Sequence, residues 1–437
     1  MPIEDFETAK AYLETLIPKK KENYEKIGLG RIRALLKEMG DPHNSYPTVH
    51  VGGTAGKGSV ATMLARIAEV SGYKTGLHVS PHLQDIRERM QVNGRLPSDE
   101  EFVDLVLTAK RCVEKVERGE HGKPSYFETL LSLTFEHFRR EKVGIAVIEV
   151  GMGGRLDGTN VIDPEVVVLT NVGLDHMEFL GDTIEEIAHE KTGIFKEGVD
   201  IMSGVTQPEV VDIVRKKAEE MGCRLDLLGK EIRYDRVKTR KAGSMFDLAV
   251  DGERYKDVEL SLIGFHQVSN ASLAVAAALR LNGHGFVMKE KGFRKALLGV
   301  SIPGRFEITR QKPFVVMDGA HNPMKMDALA DAIKERYPGR KIFFVFGVKK
   351  DKNVKEMIER LSHLAAKFYF TSFESATDFG KRMSYDPNDL KSFTDVESEV
   401  ILDSSVAYRK ALADAGRDGI VCVTGSFYLV GELRSLG

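Results

Sequence analysis

Lys57 and Ser59 stand two positions apart inside the run Val49-His50-Val51-Gly52-Gly53-Thr54-Ala55-Gly56-Lys57-Gly58-Ser59. An ammonium and a hydroxyl set among glycines suit phosphate chemistry. Glycines let backbone N–H groups turn onto phosphate oxygens, Lys57 reaches the β- and γ-phosphates, and the Ser59 hydroxyl ligates Mg²⁺. The flanks agree with this. Short apolar residues precede the glycines as a strand, and Val60, Met63, Leu64 and Ile67 follow at the spacing of one helix face. The helix N-terminus adds partial positive charge. Gly58 follows the lysine, so the hydroxyl comes one place later than in the usual Walker pattern. A glycine-rich turn without a ligand is the alternative; the strand and helix on either side favour a nucleotide site.

Other polar groups fall at the ends of apolar runs. Gly76-Leu77-His78-Val79-Ser80 reads as a second parallel strand that delivers Ser80 at its carboxyl end, where open α/β sheets bind ligands. Ile145-Ala146-Val147-Ile148-Glu149 is a buried strand whose only charge is its last side chain. A buried carboxylate demands a cation; Mg²⁺ is one candidate and a structural lysine the other. Val166 to Thr170 is another such strand, with Asn171, Asp175 and His176 beyond it. Ser59, Ser80, Glu149 and His176 at equivalent positions would form a Mg²⁺ shell completed by water and phosphates, with a hydrogen-bonded structural histidine the alternative for His176. Lys191 lies on the apolar face (Ile184, Ile187, Ala188) of a helix opened by the Thr183-x-x-Glu186 capping-box spacing. It either snorkels to water or serves the site.

The elements that must position these groups are legible in outline. At 437 residues the chain is long enough for two domains or three. Hydrophobic content of 42% with 29% charged residues describes a globular protein, and a net charge of −2 excludes the basic excess of nucleic-acid binders. Three widely spaced cysteines, Cys112, Cys223 and Cys422, suit a reducing compartment. No apolar run approaches the roughly 18 residues of a membrane span, and the N-terminus lacks a signal peptide's pattern, so the expected location is cytoplasmic. Residues 3–40 read as two amphipathic helices broken at Gly28-Leu29-Gly30, and Ser98–Arg118 as another. Ser125-Tyr126-Phe127-Glu128 opens a further helix, and Gly151–Asp157 is a glycine-rich, ligand-facing loop. Phe246–Val250, Asp251-Gly252 and Arg254 onward form a β-hairpin. A helix covers Asn270–Leu281, and Arg294–Pro303 is expected to connect the domains.

A second set of strands alternating with helices begins at Phe314-Val315-Val316-Met317, which ends in Asp318-Gly319-Ala320-His321-Asn322-Pro323. Ile342–Phe346, Phe368–Thr371 and Ile420–Thr424 continue it. The fold expected is α/β with two domains. Residues 1–298 form a P-loop ATPase-type domain with a mostly parallel sheet and a small antiparallel β region. Residues 299–437 form a Rossmann-like α/β domain.

Four segments together resemble a known family: Thr54–Ser59, His78-Val79-Ser80-Pro81-His82-Leu83, Glu149–Asp157 and Asp318–Pro323. They look like folylpolyglutamate synthase/dihydrofolate synthase of the Mur ligase superfamily, in the right order over almost the whole chain. The resemblance implies ATP- and Mg²⁺-dependent addition of L-glutamate to the γ-carboxylate of folate, or to dihydropteroate, with release of ADP and phosphate. It assigns ATP to Gly56, Lys57, Gly58, Ser59, Asn270, Arg305 and Asp318. Two Mg²⁺ sites fall to Ser59, Ser80, Glu149, His176 and Lys191, the last matching a lysine that the family carbamylates. The pterin side falls to Ser125, Tyr126, Phe127, Glu128, Leu156, Asp157 and Gly158. Lys57, Lys191 and His321 are the expected catalytic groups, with His321 and Arg305 near the domain junction. Ala55 stands where the family usually has Asn. The expected partners are small molecules, with no nucleic acid or membrane, and the chain is expected to be a monomer. Three rivals stay open: a P-loop kinase, a nucleotide-controlled binding protein, and a cell-wall Mur ligase, against which the folate-type segments argue.

Overall fold

The computed structural model describes residues 2–18, 28–240, 243–350, 352–377 and 380–436. The apolar runs become the middle of a seven-stranded sheet. Its strands are β1 (Thr48–Gly52), β2 (Thr75–His78), β3 (Gln91–Val92), β4 (Ile145–Glu149), β5 (Val166–Leu169), β6 (Asp200–Ser203) and β7 (Arg224–Leu227), in the order β3-β2-β4-β1-β5-β6-β7. All pairs are parallel except β2–β3. The central strands β1, β4 and β5 are buried along their whole length, as a sheet covered on both faces requires. Alternation sorts their side chains. Val49, Val51, Ile145, Val147, Val166 and Val168 enter one core, while Ala146, Ile148, Val167 and Leu169 face the other side.

Register decides where the strands end. Val51 is paired with Glu149 and with Val168, Gly52 with Leu169, and His78 with Ile148. Gly53, Ser80, Glu149 and Thr170 therefore emerge along one carboxyl edge. The helix Lys57–Val70 packs on one face against Phe265–Arg280 and Glu290–Leu298. The other face is covered by Phe6–Glu14, Gly30–Glu38, Asp99–Val116 and Tyr126–Arg140. Capping boxes start Asp99–Val116 at Ser98, Tyr126–Arg140 at Ser125 and Ile184–Thr192 at Thr183. The break at Gly28-Leu29-Gly30 precedes the helix Gly30–Glu38; the expected helical stretch over residues 19–27 lies outside the described residues.

β8 (Ile232–Arg240), β9 (Gly243–Val250) and β10 (Glu253–Leu260) form an antiparallel sheet, with the expected hairpin turning at Asp251-Gly252. The helix expected from Asn270 starts earlier, at Phe265, because Gly264 (φ +104°) is its N-cap. The connection expected over Arg294–Pro303 is shorter. Phe293, Ala296 and Leu297 bury one face of the helix Glu290–Leu298, which ends at Gly299. The second sheet comprises β11 (Glu307–Gln311), β12 (Phe314–Met317), β13 (Ile342–Phe346), β14 (Ala365–Phe370), β17 (Ser398–Val400) and β18 (Ile420–Thr424). Its order is β11-β12-β18-β13-β14-β17, with only β11 antiparallel to its neighbour. A short hairpin, β15 (Glu374–Thr377) and β16 (Gly380–Met383), lies apart from it. The peptide bonds Ser80–Pro81 and Lys312–Pro313 are cis. All three cysteines are free.

Candidate active site

The glycine loop is clamped by the end of β5. Ala55 N–H donates to Asn171 Oδ1 (2.9 Å), while Asn171 Nδ2 (3.0 Å) and Thr170 Oγ1 (2.6 Å) donate to Ala55 O. Thr54 Oγ1 is tied to Gly173 N and O. These bonds fix a loop that local propensity alone would leave mobile. Gly53 (φ +135°) passes so close to Thr170 that a Cβ would overlap its hydroxyl, and Gly56 (φ +82°) turns the chain into the helix Lys57–Val70. A Cβ on Gly56 would meet Asn270 Oδ1 at 2.5 Å. Asn270 Nδ2 donates to Gln267 Oε1 (3.0 Å), and Gln267 Nε2 reaches Ser59 Oγ (3.4 Å). The helix Phe265–Arg280 thus holds the far side of the loop.

Glu149 ends β4 beside this loop. Its Oε2 accepts the Ser80 N–H at 3.1 Å and lies 3.4 Å from where a Cβ on Gly58 would stand. Burial pushes its carboxyl up, and Lys57, the Ser80 N–H, Arg305 and Lys325 pull the other way. Lys191 is buried and turned inward rather than snorkelling. Its Nζ donates to Gly53 O at 3.2 Å, the same oxygen that Lys57 Nζ meets at 3.2 Å. Burial, then the neighbouring Lys57, brings the Lys191 ammonium down to about 7.

The second domain presents its own strand ends to this edge. Both Asp318 oxygens accept backbone N–H groups, from Phe306 and Ala320 at 2.8 Å each, and burial raises its carboxyl against the pull of Arg305. The Arg305 guanidinium lies 4.8 Å from the Phe427 ring centre. His321 Nδ1 donates to Gly319 O (2.7 Å), which leaves Nε2 to accept from Lys325 Nζ (2.9 Å). Asp175, next to His176, receives Asn322 Nδ2 and Lys352 Nζ at 3.1 Å each and has Lys325 Nζ at 4.0 Å. Burial opposes its charge, but Lys325, His176 and Lys352 hold the carboxyl far below the usual range. The result is a cleft rich in cations and backbone donors, able to bind polyanions and to stabilise charge that develops during phosphoryl transfer.

Residues 51–278 match the Mur ligase middle domain, and residues 304–427 match the Mur ligase glutamate ligase domain. The chain is 36% identical over 413 residues to the dihydrofolate synthase/folylpolyglutamate synthase of Bacillus subtilis (strain 168), covering 94% of each. The chain belongs to the folylpolyglutamate synthase/dihydrofolate synthase branch of the Mur ligases. Its backbone is similar to Mycobacterium tuberculosis folylpolyglutamate synthase complexed with ADP and AMPPCP, with a TM-score of 0.90 at 29% identity over 99% of both chains. It is also similar to Escherichia coli FolC in complex with DHPP and ADP, with a TM-score of 0.87 at 27% identity over 100% of this chain and 99% of that one. The chain is accordingly an ATP-dependent ligase. No described helix is long and apolar enough to cross a membrane.

In this Mur-type ligase the segments expected on the pterin side meet at the Gly151 loop. The Phe127 ring lies against Gly151 and Gly158, where Cβ atoms would stand 2.9 Å and 3.3 Å from it. Ser125 and Glu128 are joined in a capping box, and Glu128 is paired with Arg31 (3.2 Å). Asp157 accepts from Met152 N, Thr159 N and Thr159 Oγ1, so it shapes the loop after β4. Leu156 packs into the core beneath that loop, and Tyr126 is buried with Arg89 5.9 Å from its ring centre. Sequence reasoning missed Gln267, Lys325 and Lys352. Gln267 precedes Asn270 by three on one helix, so helical spacing was a usable signal for it; Lys325, whose partner His321 lies before the helix Pro323–Arg336, and Lys352 carried none.

Two predictions follow from this geometry. Gly53→Ala forces a Cβ against Thr170 and Asn171, and Mg-ATP binding measured by calorimetry should be lost while far-UV circular dichroism is retained; wild-type affinity would refute the clamp. The second concerns Lys191 in its unmodified form. Its folded value near 7 lies below the ordinary 10.5, so between these the unfolded chain holds a proton that the folded chain does not. Its contribution to stability therefore rises with pH from about 7 to about 10.5, and the full penalty persists below 7. In bicarbonate-free buffer, the urea midpoint of the wild type should gain on that of Lys191→Met over this window; parallel curves would refute it.

Proposed function

We propose that the chain joins L-glutamate to the γ-carboxylate of a tetrahydrofolate, and to dihydropteroate, through an acyl phosphate. The observation that carries this reading is the single carboxyl edge that brings the Lys57–Ser59 turn, Ser80 and Glu149 together opposite the Asp318–Asn322 segment. The relatives' names supply the substrate class. A free carboxylate resists attack by an amine, so one oxygen must first become a leaving group. In-line transfer of the γ-phosphoryl group to the carboxylate does this, while Lys57 offsets the charge on the transferring group. The glutamate amine then attacks the acyl carbon, and phosphate leaves. His321 and Arg305, at the junction of the domains, are assigned to the glutamate side and the phosphates, where closure keeps water from the acyl phosphate.

The donors fit a hard cation: the buried Glu149 carboxylate and the Ser59 and Ser80 hydroxyls are oxygen ligands of the kind Mg²⁺ takes. Ser59, Ser80, Glu149, His176 and Lys191 are the residues that would hold two such ions, and bound Mg²⁺ would neutralise phosphate charge. Lys191 is proposed to be carbamylated. A buried amine whose ammonium form is disfavoured, pressed against Lys57 at one carbonyl oxygen, is nucleophilic toward CO₂, and a carbamate would replace a repelled cation with an anion. Asn270 and Asp318 are assigned to ATP with Gly56–Ser59, and residues 125–128 and 156–158 to the pterin side. The domain division is placed between residues 298 and 299. A monomer in the cytoplasm completes the proposal.

The deciding experiment is phosphate release from Mg-ATP with L-glutamate and either dihydropteroate, tetrahydrofolate or no pterin. Release with each pterin, dependent on glutamate, is expected; turnover indifferent to glutamate would point to a kinase and overturn the reading. For Lys191, ¹³C-bicarbonate should give a carbamate carbonyl resonance in the wild type that Lys191→Met lacks. Identical spectra would remove the carbamate.

A further inference from the structure

Asp175 belongs to the first domain and accepts the neighbouring His176 N–H at 3.1 Å, yet Asn322, Lys325 and Lys352 reach it from the second. It sits in the loop after β5, where Oδ1 meets Lys352 Nζ (3.1 Å) and Oδ2 meets Asn322 Nδ2 (3.1 Å) with Lys325 Nζ at 4.0 Å. Asn322 and Lys325 stand at the start of the helix Pro323–Arg336, and Lys352 lies in the loop after β13. Asn322 Oδ1 caps the Lys325 N–H (2.9 Å), which turns its amide nitrogen toward Asp175. His321 Nε2 holds Lys325 Nζ from the other side (2.9 Å). Two ammoniums and one amide around a single carboxylate make a carboxylate receptor. It lies beside the phosphate loop, since Gly173, two residues before Asp175, is tied to Thr54 Oγ1.

We propose that Lys325, with Lys352 and Asn322, receives a carboxylate of the incoming amino acid, and that Asp175 is the internal carboxylate that fills this receptor until the substrate arrives. The proposal rests on the ligase reading above and adds to it a specificity-determining residue. Exchanging one carboxylate for another keeps the charge of the site constant, so Lys325 keeps a counter-charge at every stage. The same receptor rejects neutral amides, because an amide would leave the Lys325 cation without a counter-charge. His321 acts here as a positioning residue: its Nδ1–H is committed to Gly319 O, so Nε2 is the acceptor that aims Lys325.

Lys325→Met tests this in the full chain, because Asp175 keeps Lys352 and Asn322 as partners and the domain contact survives. Steady-state rates are measured with Mg-ATP, tetrahydrofolate and one of three amino acids: L-glutamate, L-glutamine or L-isoglutamine. The two amides neutralise the side-chain and the α-carboxylate respectively. The expected result is a rise of about ten- to a hundredfold in KM for L-glutamate, the range of a lost charge-assisted hydrogen bond, with kcat and KM for Mg-ATP within about twofold. Discrimination against one of the two amides should fall by the same factor, which also identifies the carboxylate received. Lys325→Gln, which still donates to His321 but carries no charge, should behave alike, and Lys325→Arg should restore discrimination. An unchanged KM for glutamate, or a raised KM with discrimination against both amides intact, overturns the receptor. A wild type without glutamate-dependent phosphate release overturns the ligase reading itself, and the receptor with it; an active wild type whose variants keep full discrimination overturns the receptor alone.

Discussion

Positive charge gathered where the strand ends of the two domains meet is the constraint on which this cleft depends. Lys57 and Lys191 converge on one carbonyl oxygen, and the Lys57, Lys352 and Arg305 charges act on Lys325. Burial brings Lys325 down to about 7, with Asp175 the main charge opposing that fall. Such an arrangement is expensive by itself and becomes favourable when triphosphate and carboxylate groups bind. The fold tolerates it because sheet, helices and caps elsewhere are conventionally packed.

The sheet makes this concentration possible. Parallel pairing with no stagger between β1, β4 and β5 sends every strand end to the same edge, so Gly53, Glu149 and Thr170 are neighbours by register alone. Side-chain hydrogen bonds then convert proximity into a fixed loop, with Asn171 and Thr170 gripping Ala55 from β5 and Gln267 reaching Ser59 from the facing helix. The position read as a departure from the family, Ala55, uses only its backbone in this clamp.

The second domain repeats the principle with a different purpose. Asp318 gives both oxygens to backbone N–H groups and so shapes the segment that carries His321 and Asn322. That segment meets the first domain through Asp175, while Leu83 of the first domain joins the apolar cluster of Val315, Leu429 and Val430 in the second, so the contact between domains is both electrostatic and apolar.

Patterns local in the chain were legible without a structure. The alternating strand and helix periods, the Gly-Lys-Gly-Ser turn, the Thr183–Glu186 cap and the Asp251-Gly252 hairpin depend on residues a few positions apart, and each formed where its spacing indicated. Even so, short strands with charged residues, such as Asp200–Ser203, gave no clear period and went unread. Tertiary structure alone decided which strand ends and helix starts face each other. Gln267 meets Ser59 across 208 positions, Lys191 meets Gly53 across 138, and Asp175 meets Lys352 across 177. Residue spacing fixes the face of a helix or strand on which a group lies. It carries no record of the packing that brings two such faces together, so the long-range partners of Lys191 and Asp175 emerged only from the folded chain.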